Sequence, residues 1–162
     1  MLKQTKYLGE TEIDEDKVIR FSQGLPGFPD EKEFAILDLP GNDVFHILQS
    51  LNVTEIAFII TNPYQFRKDY SFNLDSNFLD SMSIEKPEDV AVFVIVTIRE
   101  PFSESTLNLK APIIVHAEKK EGKQFILNTD QYATKTPITS QNMNNETNEG
   151  GDWDANIGSE NK

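Results

Sequence analysis

Along this chain the apolar residues recur mostly with the two-residue period of strands rather than the three-to-four-residue period of helices. EFAILDL (33–39) sets Phe34 and Ile36 against Ala35 and Leu37, and VFHILQSL (44–51) sets Phe45 and Ile47 against His46 and Leu48. KYLGE (6–10) and KVIRF (17–21) are shorter strand candidates. IAFIITN (56–62) and VAVFVIVTI (90–98) are unbroken and rich in β-branched residues, the pattern of strands covered on both faces. Val94, mid-run, is expected to be buried whichever face it takes. Leu107 and Leu109 alternate around Asn108, while PIIVHA (112–117) and KQFILN (123–128) flank a polar KKEG turn and predict a hairpin.

Helical signal is thin. Asp30 and Glu33 have capping-box spacing, but Phe34 already opens a strand, which leaves room for one turn at most. DSNFLDSM (75–82) predicts a short helix with Phe78, Leu79 and Met82 on one side. Many short strands separated by Pro, Gly and Asn predict an all-β fold: a small antiparallel barrel or sandwich of eight to ten strands with one or two short helical segments. From Ile138 the character changes. Residues 138–162 contain six asparagines, five acids and one lysine, too little apolar surface to offset the entropy of ordering. The expected organisation is therefore one folded domain over 1–137 and a disordered acidic tail over 138–162.

Charge narrows the choice of partners. Of the net −12, the tail carries −4 and residues 1–137 carry −8. Counterion release rewards basic surfaces on nucleic acid, so an acidic body disfavours direct DNA or RNA binding; it permits a basic protein partner, although excess acid alone also serves simply to keep a chain soluble. Cysteine is absent, which excludes disulfides and thiolate metal sites. The N-terminal MLKQTKYLGE has no apolar signal-peptide core, and the apolar run 90–96 is far short of the ~20 residues of a spanning helix. A cytoplasmic protein, monomeric when free, is the expectation.

The search for chemistry returns little. The two histidines, His46 and His116, lie inside predicted strands without further metal ligands at a suitable spacing. No phosphate-binding loop or nucleophile elbow occurs. Asp152, Asp154 and Asn156 imitate the start of a calcium loop, but the required glycine position is Ile157. No catalytic residue, metal or cofactor is assigned. What stands out is a style of turn. In FSQGLPGF (21–28), Pro26 and Gly27 have the grammar of a type II turn, yet Phe21, Leu25 and Phe28 crowd around it. Phe21 continues a strand and belongs to the core; Leu25 and Phe28 frame the turn and are candidates for partial exposure. Asn62-Pro63-Tyr64 follows the IAFIIT strand in the same manner. Aromatic residues with a polar end suit protein interfaces, but loop aromatics over a small core more often plug its open end, and both readings stand for Tyr64. The candidate partner contacts are Leu25, Phe28, Asn62, Tyr64 and Asn108, all on predicted turns or outward strand positions.

The order of GLPGF, LQS, TNP, VTI and NLxAPI along residues 7–137 resembles the FliW family of flagellar assembly factors. His116-Ala117 departs from that pattern, and the Asn-rich tail lies outside it. The resemblance implies a non-enzymatic cytoplasmic regulator that binds flagellin and also the RNA-binding translational repressor CsrA. On flagellin export the freed regulator would capture CsrA, away from its RNA site, and relieve repression of flagellin mRNA. Two other readings stand beside it: a small-molecule-binding β-barrel, with carboxylates and His46 around a cavity and enzymatic activity, and an acidic nucleic-acid mimic that blocks a basic protein directly.

Overall fold

The computed structural model describes residues 1–139. Eleven strands follow one another: β1 (Leu2–Thr5), β2 (Gly9–Glu12), β3 (Val18–Arg20), β4 (Glu33–Leu39), β5 (Asn42–Ser50), β6 (Ala57–Thr61), β7 (Val90–Thr97), β8 (Thr106–Leu107), β9 (Ile113–His116), β10 (Glu121–Gln124) and β11 (Thr136–Pro137). β1 and β2 form a separate hairpin, and the other nine make one sheet in the order β11-β8-β7-β6-β5-β4-β3-β10-β9. A further antiparallel pairing of β9 with the first half of β7 closes seven of these strands into a ring. The expected small barrel is therefore present. Its pairings are antiparallel except where β3 meets β10 in parallel at Arg20 and Glu121.

Most of the strand signals translate directly. EFAILDL is β4 to the residue, and the hairpin around KKEG joins β9 to β10. KYLGE does not form a strand: Lys6–Leu8 make the hairpin turn, and Gly9 (φ 68°) opens β2. The turn-forming glycine outweighs the short apolar pair Tyr7-Leu8. DSNFLDSM forms the one α-helix among the described residues, α1 (Ser76–Ser81). Asp75 caps it by accepting from the Phe78 N–H at 2.8 Å, while Phe78 and Met82 are buried beneath it.

Strand alternation sorts the core into three clusters. Inside the ring, Phe21, Leu25, Phe34, Leu48, Ile60 and Ile113 meet. Gly122 makes room there, because a Cβ at that position would lie 2.5 Å from the Phe21 ring. On the opposite face of β7, Val92, Val94 and Val96 pack with Tyr70, Phe78, Leu107 and Ile138. The third cluster, Ile13, Ala35, Leu37, Ile47 and Leu51, lies on the outer face of β4 and β5. Gln49 ties this region to the β1–β2 hairpin. Its buried side-chain Oε1 accepts from the Lys6 N–H at 2.9 Å and its Nε2 donates to Ser50 and Thr54 carbonyls.

The chain's last described segment is anchored. Arg67 donates to the carbonyl of Pro137, and burial lowers the Arg67 pKa against an opposing effect of Asp69. Ile138, grouped with the tail by its composition, is buried and donates its N–H to Ser105 at 2.9 Å. Core packing thus continues past Pro137. The rest of the tail, with Trp153 and the calcium-loop look-alike, lies outside the described residues.

Candidate protein-docking face

The GLPGF turn is built as its residues predict. Leu25 and Phe28 pair across it, with the Phe28 N–H donating to the Leu25 carbonyl at 2.7 Å and Gly27 at φ 88°. Gly24 (φ 65°) is also required, since a Cβ there would sit 2.5 Å from the Phe28 carbonyl oxygen. The turn separates its two apolar residues. Leu25 is 2% exposed inside the ring cluster, so its place among the candidate contacts is corrected: it is a plug. Phe28 is 36% exposed and meets the Phe58 ring edge-on.

Phe58 belongs to a wider surface. In the register of β4 to β7, Asp38, His46, Ile60 and Ile95 form one cross-strand row, and Ile36, Leu48 and Phe58 form the next. All of these side chains share the ring-facing side of the sheet, where Leu48 and Ile60 are buried in the ring cluster and Ile36, Phe58 and Ile95 stay partly exposed at its opening. Ile36, Ile56, Phe58, Phe93 and Ile95 pack on the ring cluster yet remain only partly buried. The sequence expectation that β6 and β7 are covered on both faces is corrected here. The Val92–Val96 side of β7 is covered, whereas the Phe93–Ile95 side reaches solvent. His46 stands at the rim, with Nδ1 3.2 Å from the exposed Asp38 carboxylate and its ring edge-on to Phe93. Asp38 is well solvated, so this pair contributes little stability and leaves a carboxylate at the edge of an apolar area.

The remaining candidates fall in two groups. Asn108 lies beside this face, its N–H donating to the Ile95 carbonyl at 2.9 Å; its side chain accepts from the Ala111 N–H. Asn62 is half-buried at the end of β6, where its side chain caps a 3₁₀ turn by accepting from the Tyr64 N–H at 2.9 Å. Tyr64 is 3% exposed in the outer cluster against Tyr70, a second correction: the cap turns its ring inward. The structure thus brings Phe28 and Asn108 to the half-open face, leaves Asn62 as a cap, and buries Leu25 and Tyr64. Sequence reasoning missed Ile36, His46, Phe58, Phe93 and Ile95 as surface residues. The alternation in β4 and β5 assigned the faces, but only the sheet's curvature decides which face stays uncovered.

The polar residues of these turns mostly serve the fold. Ser50 accepts from the Asn52 and Val53 N–H groups, and Thr61 donates to the Val44 carbonyl at 2.6 Å. Tyr70 donates to the carbonyl of Leu109 in NLxAPI. Among the described residues no cluster of three or more His, Asp or Glu could hold a metal ion, and no helix is long and apolar enough to cross a membrane.

A model of the FliW protein family matches residues 3–138. The chain belongs to the FliW family. The flagellar assembly factor FliW of Oceanobacillus iheyensis is 48% identical over 137 residues, 85% of this chain and 93% of that protein. That of Bacillus licheniformis is 50% identical over 138 residues, 85% and 96% of the two chains. The crystal structure of a flagellar assembly factor FliW superposes with a TM-score of 0.82 at 40% identity, covering 87% of this chain and 99% of that one. The FliW match ends at Ile138, the residue where the described core packing also ends.

Proposed function

We propose that this protein is a non-enzymatic cytoplasmic partner switch that binds flagellin and, when freed of it, captures the translational repressor CsrA and relieves repression of flagellin mRNA. Membership of a family of flagellar assembly factors carries this reading. The half-open face of β4–β7 supplies a suitable contact. Its apolar centre of Ile36, Phe58, Phe93 and Ile95 gives area to bury, and Asp38 at the rim attracts a basic partner. An acidic body suits a repressor that must be basic to hold RNA. The free protein is a monomer in this reading.

Two exposed residues test the face without disturbing the core. Phe28→Ala should speed dissociation of a bound partner by about tenfold, the scale of a truncated interface aromatic. Asp38→Lys should slow association with CsrA, because rim charges act chiefly on the encounter rate. Titrations of both variants against purified CsrA and flagellin, with melting temperatures held to within a few degrees of wild type, decide the matter. Unchanged rates for both variants and both partners would remove the face from the account.

A further inference from the structure

β10 and the extended segment that follows it, together holding KQFILN, leave one edge open. The Phe125 and Leu127 N–H groups donate to the Pro112 and Lys110 carbonyls at 2.9 and 2.8 Å, so the ladder begun by β9 and β10 continues past Gln124. In such a ladder alternate residues turn their N–H and C=O the other way. Those residues are Gln124, Ile126 and Asn128. On their side β3 reaches only Glu121, through Arg20, and then the chain leaves, with the Phe21 N–H bonded to Lys32. Among the described residues no backbone hydrogen bond reaches the N–H or C=O of Ile126 or Asn128.

Opposite this edge stands the GLPG turn. The two enclose a cleft of about 300 Å³ lined by Gln23–Gly27 and Pro29 on one wall and by Lys123, Gln124 and Ile126 on the other. The turn wall is thin and fixed, because Gly24 and Gly27 carry no side chain and Gly24 abuts the Phe28 backbone. Ile126 is 59% exposed. Native sheets ordinarily blunt an open edge with proline, a charge or a bulge, yet QFILN has neither proline nor charge. An open edge facing a preformed wall is the arrangement that takes up an added strand.

We propose that this cleft binds an extended segment of a partner protein by strand addition along Gln124–Asn128, and that the segment carries an acidic residue beside Lys123. The charge balance points this way. On a chain of net −12, Lys123 is the one charged residue lining the cleft among the described residues, its ammonium 3.2 Å from Ser81 Oγ and over the Phe78 ring. A basic segment would meet that ammonium with no neighbouring carboxylate in the cleft to offset it. The main-chain bonds give affinity, and the Ile126 side chain and Lys123 select apolar and acidic side chains. The cleft shares the GLPGF turn with the β4–β7 face, but its strand-edge wall lies elsewhere and the proposal does not depend on the CsrA and flagellin reading.

The test uses the full chain and a display library of random nine-residue peptides. Selected peptides should combine β-branched residues with Asp or Glu. Ile126→Pro deletes an N–H that has no partner among the described residues, so it should keep the wild-type melting temperature while reducing capture of the selected peptides by about tenfold, the loss of a main-chain bond plus local fit. Lys123→Glu should reverse the preference towards Lys and Arg. Absence of enrichment, or equal capture by a folded Ile126→Pro variant, overturns the proposal. So does amide exchange at Ile126 and Asn128 that is slow in the free full chain. Exposure of those amides on removal of residues 140–162 would make the occupant this chain's own tail, and exposure on dilution would make it a second copy. CsrA and flagellin binding measured on Ile126→Pro separates this proposal from the partner switch: loss of peptide capture with both intact supports the cleft alone.

Discussion

The ring of Phe28 meets the ring of Phe58 edge-on, with centroids 5.9 Å apart and planes at 66°. This contact fastens the GLPGF turn to the half-open sheet face and makes the turn part of that surface. Phe58 in turn lies 6.4 Å from the fully buried Phe34, so the exposed aromatic is coupled to the ring core through one intermediate. Aromatic pairs of this kind contribute about 0.5–1.5 kcal/mol beyond the area they bury.

The two glycines of the turn should differ. Both adopt positive φ, and alanine at either should cost about 1–2 kcal/mol for the left-handed backbone alone. Only Gly24→Ala also drives a Cβ against the Phe28 carbonyl and the Pro29 backbone, whereas Gly27→Ala meets nothing within 4 Å. Thermal melts should therefore rank wild type above Gly27→Ala and Gly27→Ala above Gly24→Ala. Equal melting temperatures for the two variants would contradict the close approach.

Ile138 marks the end of the packed core. Ending the chain after Thr139 should leave the melting temperature within a few degrees of that of the full chain. Ending it after Pro137 removes a buried side chain and the N–H bond to Ser105. That loss should resemble a large-to-small core substitution, about 2–5 kcal/mol. Ile138→Ala in the full chain checks the same point without a change of length.

Asp89 gives the fold a pH-dependent contribution. Its carboxylate accepts the Glu85 N–H, at 2.8 Å, and the Lys86 N–H, which hold its pKa below the ordinary carboxylate value; His116 and Lys86 lower it further, against desolvation. A depressed folded pKa contributes stability that is full above the unfolded value, near 4, and is lost as pH falls through the folded value. Denaturation of wild type and Asp89→Asn should thus differ at pH 6 and converge in acid below the folded pKa. A stability difference that persists unchanged into that range would show that the carboxylate charge plays no part.

Val94 sits fully buried between Val92 and Val96 on the covered side of β7. Aspartate there would place a charge in an apolar layer, at a cost of several kcal/mol, comparable with the whole stability of a small domain. Expression of Val94→Asp should yield unfolded or insoluble protein by circular dichroism and sedimentation.

Periodicity in this chain made strand identity legible, and in β4 and β5 it also made the side-chain alternation legible. Glycine at the exit of KYLGE weighed more than its apolar pair, so a turn replaced a strand. Exposure was the harder property. Leu25 and Phe28 flank the same turn and look equivalent in sequence, but they differ because a type II turn projects one inward and lays the other on Phe58. Tyr64 follows a proline turn that reads as a surface loop, yet the Asn62 cap points its ring at Tyr70. Phe93 and Ile95 were indistinguishable from Val92 and Val94 by hydropathy. What separates them is the closure of β7 onto β9, a long-range pairing that no local window contains.

The partner switch is tested most directly by reciprocal competition. Preformed complex of the full-length protein with CsrA is titrated with flagellin monomer, and the flagellin complex is then titrated with CsrA. The account predicts that each partner weakens the other by the same factor, because coupling between two binding events is reciprocal; about 3 kcal/mol, or roughly 150-fold, would give a sharp response to export. A stable ternary complex in which both affinities equal those of the separate complexes would contradict it.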